Sequence, residues 1–293
     1  MCDIPRWTIE ELVERYELES ELRDFFVEGP SDVHLLNWFL RQTADNDFAV
    51  YDIDSVEIPD DVLAGMGFAS DCKQELVIAL AHELIQRSPE IAQATCVADR
   101  DFDIVLDRNY SVACLLVTDY TCMEMYTWED RIVSKFLTLA IFGLPYPVGQ
   151  VMAEVSEVLQ ELFVICLANK ELGWGMKWPK DPFRHLSFNA GQVAFNAAAF
   201  IRSYLMANSR MRAINEFTAQ VQSVRARLTD EPRNQMRGHD CTQVLAWYIT
   251  RCGKGHRMAD YQTIVHRQLY TCIELRDLMR TSLFPAIASR ASA

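Results

Sequence analysis

Up to about residue 125 the chain alternates short apolar runs with longer stretches whose apolar positions recur every three or four residues. The runs at 22–27, 48–53, 91–98 and 111–118 have the length and composition of strands. Between them, Val33, Leu36, Trp38, Phe39 and Leu40 follow helical spacing behind the candidate caps Ser31 and Asp32. Leu76, Val77, Leu80, Ala81, Leu84 and Ile85 do the same behind Ser70 and Asp71. Strands separated by amphipathic helices predict an α/β fold, a mostly parallel sheet flanked by helices.

Beyond residue 125 the strand signal fades. Val148, Val151, Met152, Val155, Val158, Leu159, Leu162, Phe163 and Cys166 predict a helix over 148–168, and further helices are expected at 189–207, 210–228, 240–252 and 259–282. Clusters such as Asp230-Glu231-Pro232-Arg233-Asn234 separate them. The pattern therefore predicts two domains, 1–125 with the sheet and 126–293 all-helical.

Half of the 293 residues are hydrophobic, enough for a folded chain with a sizeable core. The net charge of −13 hides a division: residues 1–200 hold 14 Lys and Arg against 34 Asp and Glu, whereas 201–293 hold 14 against 7. A basic C-terminal part suits a polyanion or an acidic partner, although a solvated Arg-rich surface has the same composition. Nine cysteines, odd in number and without CxxC spacing, read as reduced thiols in a cytoplasmic protein. The alternating acids and bases of MCDIPRWTIEELVERYELESELR do not resemble a secretory signal, and the apolar stretches near 136–145 and 158–168 are short for a bilayer. No membrane partner is expected.

The chemistry concentrates in Asp99-Arg100-Asp101-Phe102-Asp103, which follows the apolar run at 91–98 directly. If the strand continued, all three carboxylates would face one side, because side chains alternate with period two. Such crowding is costly unless a cation sits among the acids, and hard oxygen donors suit Mg²⁺ or Mn²⁺. Parallel strands deliver their C-terminal ends to a common edge. Glu28 ends the first strand, Asp99, Asp101 and Asp103 follow the third, and Glu124 lies just past the fourth, so these acids are expected to converge as metal ligands. An EF-hand starting at Asp99 would need Gly where Ile104 stands and Glu where Tyr110 stands. A haloacid-dehalogenase-type phosphatase would want Thr or Val in place of Asp103. A charged strand-end loop and, at Glu28, a plain helix entry are the simpler readings.

The segments Phe26-Val27-Glu28-Gly29-x-x-Asp32, Val97-Ala98-Asp99-Arg100-Asp101-Phe102-Asp103 and Thr118-Asp119-Tyr120-Thr121-Cys122-Met123-Glu124 together resemble the Toprim domain. Their spacing is similar to the branch containing OLD-family nucleases and DUF4435 proteins. The resemblance implies a divalent-metal site at Glu28, Asp99, Asp101 and Glu124, with Cys122 where the family usually has Ser. Arg237-Gly238-His239-Asp240 resembles a C-terminal motif of DUF4435 proteins.

Within this branch the chain resembles the Toprim effector subunits of the phage anti-restriction-induced system. That likeness implies a toxic Mg²⁺-dependent endonuclease, acting on tRNA, restrained by a partner ATPase and homodimeric when active. A DNA nickase of the OLD type and a non-catalytic Toprim-fold module regulating an ATPase are the alternatives. No Walker A motif is present, since Gly253-Lys254-Gly255-His256 lacks the upstream Gly and the following Ser or Thr.

Arg237 and His239 read either as contacts to the substrate phosphate or as packing around a helix capped by Asp240. Lys177 reads as a phosphate-stabilising cation or as a solvated loop lysine. His34, His82, His185 and His266 show no paired spacing and read as structural.

Overall fold

The computed structural model describes residues 6–179, 181–253 and 258–292. Lys254, Gly255 and His256 of the Walker-like segment lie outside the described residues. The chain forms two compact units. One takes the chain up to Arg100, Asn109–Asp119, and everything from Glu274 on; the other takes Asp101–Arg108 and Tyr120–Ile273. The units therefore divide after Arg100 and after Asp119 rather than at residue 125, and the last segment returns to the first unit.

In the first unit, β1 (Trp7–Thr8) leads into α1 (Ile9–Leu18). Thr8 caps this helix: its hydroxyl accepts the Glu11 N–H at 3.2 Å, and the Glu11 carboxylate accepts the Thr8 N–H at 2.8 Å. β2 (Asp24–Val27) is buried along its whole length. α2 (Pro30–Thr43) starts one residue before the expected caps. Pro30 occupies the first turn, where a missing N–H costs nothing, and Asp32 accepts the Gly29 N–H at 3.1 Å. β3 (Ala49–Asp52), β4 (Val56–Glu57), α3 (Asp60–Met66), α4 (Lys73–Arg87) and β5 (Ala94–Ala98) follow. Then α5 (Asp103–Leu106) belongs to the second unit, and β6 (Leu115–Val117) returns to the first.

Strands β3, β2, β5 and β6 lie side by side in that order, all parallel, and β1 pairs with β4 apart from them. The central strands β2 and β5 are buried at every position, which is why they read as unbroken apolar runs instead of alternating ones. Phe26, Cys96 and Ala98 join Val77, Ile78, Leu80, Ala81 and Leu84 of α4 and Leu12 of α1 in one core. Each large side chain buried there stabilises the fold by about 1.5–3 kcal/mol.

The second unit is helical but not all-helical. α6 (Asp130–Leu139) and α9 (Ile214–Arg225) pack on α7 (Val148–Glu171), whose buried face includes Val151, Val155, Val158, Leu159, Leu162 and Phe163. The helix expected at 189–207 is instead a hairpin, β7 (Leu186–Asn189) and β8 (Gln192–Phe195), followed by α8 (Ala197–Ala207). The hairpin turns on Ala190 and Gly191, both at positive φ, as a two-residue turn between twisted strands requires. A Cβ on Gly191 would stand 2.5 Å from the Tyr146 ring, so only glycine fits.

α10 (Gly238–Arg251) also packs on α7, and α11 (Met258–Gln268) packs on α10. The single helix expected over 259–282 is broken. α11 ends at Gln268, and α12 (Leu275–Leu278) and α13 (Leu283–Ser292) belong to the first unit. There Phe284 meets Phe39 of α2 edge-on at 4.9 Å, and Asp119 accepts the Ser282 and Leu283 N–H groups at 3.0 and 3.1 Å. Asp119 thus caps the last helix. Among the described residues no helix is long and apolar enough to cross a membrane.

Candidate active site

In the first unit, β2 and β5 are parallel neighbours with Phe26 opposite Cys96, so their C-terminal ends emerge together. Glu28 follows β2 and Asp99 follows β5. Although 71 positions apart, they meet: a Glu28 carboxylate oxygen accepts the Asp99 N–H at 2.7 Å. Buried Gln74 of α4 donates its amide to the Asp99 carbonyl at 2.7 Å. The Arg100 N–H reaches the hydroxyl of Thr118, a fully buried residue beyond β6, at 3.0 Å. Three side chains from three elements therefore fix the backbone where β5 ends.

In the second unit the chain turns sharply. Asp101 has φ 45°, the left-handed region in which Asp is among the more tolerant residues, and its N–H donates to the Thr121 carbonyl at 2.7 Å. The strand thus ends at Ala98, and the three aspartates are not aligned by period-two alternation. Asp103 opens α5 and is 3% exposed, with the Arg108 guanidinium at 4.0 Å.

Burial pushes the Asp101 carboxyl above its usual range. Lys170 and Arg237 pull it back, while Asp103 and Glu124 push it up further. These acids are thus close enough to feel one another, and the cations that act on Asp101 are a lysine and an arginine. Lys170, in the last turn of α7, lies over the Phe102 ring at 5.4 Å. Burial opposes the charge of Arg237, but Cys166, Asp240 and Asp101 outweigh it, and the guanidinium pairs with Asp240 at 3.4 Å. Burial also raises the Asp240 carboxyl against the pull of Arg237 and His239.

Glu124 is seated by Gly238. A Cβ on Gly238 would come within 2.3 Å of the Glu124 carboxylate and 2.9 Å of the Cys122 sulfur. Gly238 is the first residue of α10, so the carboxylate rests against a helix N-terminus, whose partial positive charge favours an anion. Arg237-Gly238-His239-Asp240 is a single local device: the arginine and aspartate pair, the glycine admits Glu124, and His239 stands exposed beside Gln243.

No family model matches the chain. No curated protein matches it either.

Of the residues expected from sequence, the first unit brings Glu28 and Asp99 together, and the second unit brings Asp101, Asp103, Glu124 and Arg237 within electrostatic reach. Lys177 follows α7 in the second unit. It is exposed, and its backbone N–H and carbonyl are both held by the Asn208 side chain, at 2.8 and 3.1 Å. The lysine that acts on Asp101 is Lys170. Sequence reasoning missed it because it ended the helix at 168, one turn early. It also missed Gln74 and Thr118, whose contacts depend on strand order and carry no local signal, and Cys166 of α7, which acts on Arg237.

The donors are carboxylate oxygens, the type that Mg²⁺ and Mn²⁺ take. Among the described residues no three His, Cys, Asp or Glu side chains stand ready as a metal cage. Mg²⁺ commonly uses only one or two carboxylates and completes its shell with water and substrate phosphate. The donor set therefore fits such an ion.

Proposed function

We propose that the protein is a divalent-metal-dependent nuclease of the Toprim type. The observation that carries this reading is the 2.7 Å hydrogen bond from the Asp99 N–H to Glu28, which joins two acids from separate motifs at the C-terminal edge of a parallel sheet. In α/β proteins such edges are where ligands bind. Each unit has carboxylates that would hold Mg²⁺ or Mn²⁺: Glu28 and Asp99 in the first, and Asp101, Asp103 and Glu124 in the second. When bound, the ion supplies an activated water and stabilises charge on the attacked phosphodiester.

The protein's own groups have separate tasks. Glu28 fixes the start of the acidic run through its backbone contact, and Gly238 gives Glu124 room at the N-terminus of α10. Arg237 and Lys170 act on Asp101 and would offset the charge of an incoming phosphate. The preference for tRNA over DNA, restraint by a partner ATPase and a homodimeric active form are the parts of the proposal that rest on the motif resemblance.

One observation favours a second reading, the non-catalytic module. Lys170 and Arg237 already act on Asp101, so the acids are partly compensated without a metal. Incubating the purified chain with Mg²⁺ and either total tRNA or supercoiled plasmid separates the readings. The nuclease reading expects cleavage of tRNA, lost in EDTA and restored by Mn²⁺, with fragments that lack 2′,3′-cyclic phosphate because a metal-activated water does not use the ribose hydroxyl. Nicking of plasmid alone favours the DNA alternative, and intact substrates in every condition favour the non-catalytic module.

A further inference from the structure

Beside Glu124 the second unit carries a cleft of about 400 Å³, open to solvent, lined by His239, Thr242 and Gln243 of α10, by Gln262, His266 and Arg267 of α11, and by Glu124 itself. Sequence spacing separates the two histidines by 27 positions and shows no pairing, but the packing of α11 on α10 sets them in one wall. Among the described residues Arg267, like Arg202, Arg212 and Arg251, is not committed to a carboxylate, and it is the arginine that lines the cleft. Arg225, Arg227, Arg233 and Arg237 each face a carboxylate, whereas Arg267 is exposed and has no ion-pair partner among the described residues.

Apart from Glu124 the lining is a guanidinium, two imidazoles, two amides and a hydroxyl. These groups are the usual hydrogen-bond partners of backbone phosphate, and an unpaired arginine gives bidentate contact to it. The one acid of the lining, Glu124, is among those that act on Asp101, so the cleft adjoins the acidic group of this unit.

We propose that this cleft holds a backbone phosphate of the nucleic-acid substrate, next to the one attacked, through Arg267, His266 and His239. The proposal rests on the nuclease reading and assigns binding residues that the motif resemblance does not include. Arg267 supplies the permanent charge, and the imidazoles and amides fix the strand's direction. Contacts of this kind position the backbone without reading bases.

The test is fluorescence-anisotropy titration of labelled RNA with the full chain in EDTA, where no cleavage occurs, paired with a cleavage assay in Mg²⁺. The double variant His266→Gln, Arg267→Gln is compared with wild type and with Glu28→Gln. Both altered side chains are exposed, and a thermal melt matching wild type establishes that the double variant is folded. The expected result is RNA binding about tenfold weaker, with a shallower dependence on salt, and a rise in KM of similar size. Glu28→Gln should lose cleavage and keep binding.

RNA affinity in the double variant within twofold of wild type overturns the proposal, as does tight binding of inorganic pyrophosphate, used as competitor, with no binding of RNA. Cleavage by wild type with an unchanged KM in the double variant removes the cleft while leaving the nuclease reading in place. Binding lost in the double variant, together with no cleavage by wild type, removes the nuclease reading and keeps the cleft.

Discussion

Glu124 and Gly238 constrain each other, and this single contact links two motifs that lie 114 positions apart in the chain. An alanine at 238 would put a methyl group 2.3 Å from the carboxylate, so Glu124 must move. Overpacking of this kind costs roughly 1–3 kcal/mol. The expected outcome for Gly238→Ala is a lowered melting temperature with Mg²⁺-dependent activity reduced well beyond what the stability loss explains. Wild-type activity in that variant would show that the position of Glu124 is unimportant.

Asp101 gives a pH prediction whose sign follows from its raised carboxyl. The folded state holds the proton more tightly than the unfolded chain, so this group's stabilising contribution is complete below the usual carboxylate pKa. It is lost as pH rises through the raised value. Urea denaturation of wild type and Asp101→Asn between about pH 4 and about pH 7 reads this directly, since carboxylates titrate within that span. Without metal, wild type should lose stability relative to the variant as pH rises, and Mg²⁺ should reverse the loss in wild type only. A constant difference across pH, with or without Mg²⁺, would contradict the assignment.

At the scale of elements, the last helix is part of the first unit through a few contacts that can be removed singly. Asp119→Ala deletes the cap of α13, which accepts two backbone N–H groups, and should cost about 0.5–2 kcal/mol in equilibrium denaturation. An unchanged midpoint would mean that Phe284 against Phe39 holds the helix alone.

The two central strands were legible because burial on both faces writes them as apolar runs, as in Phe25-Phe26-Val27 and Ala94–Ala98. Glu28 and Asp99 were legible for the same reason, since a strand's end is visible where the run stops. The hairpin was not. Leu186-Ser187-Phe188-Asn189 alternates and Ala190-Gly191 marks a turn, but the helical spacing of 197–205 extends backward across it. The geometry of Asp99, Asp101 and Asp103 was also hidden, because alternation assumes an extended backbone and Asp101 takes a left-handed turn. Lys170 was hidden by one extra helical turn, and Gln74 and Thr118 by contacts that only strand order creates.

For the whole molecule, the division of charge acquires a partial explanation. Several arginines of the basic C-terminal part are committed to carboxylates, as in Arg225 with Glu161 and Arg227 with Glu171, so the formal excess overstates the charge left for a polyanion. Lys170 and Arg237 act on Asp101, Arg108 lies 4.0 Å from Asp103, and Arg267 lines the cleft beside Glu124. An acidic group repels phosphate until a divalent ion binds, so Mg²⁺ should tighten RNA binding beyond what the cleft gives in EDTA, as well as permit cleavage.

The most direct measurement of the central claim is cleavage of total tRNA and of plasmid by the purified chain in Mg²⁺, in EDTA, and with Glu28→Gln in Mg²⁺. The account predicts cleavage in the first case only, with Glu28→Gln folded as judged by its melt. Cleavage that persists in EDTA, or full activity in Glu28→Gln, would contradict it.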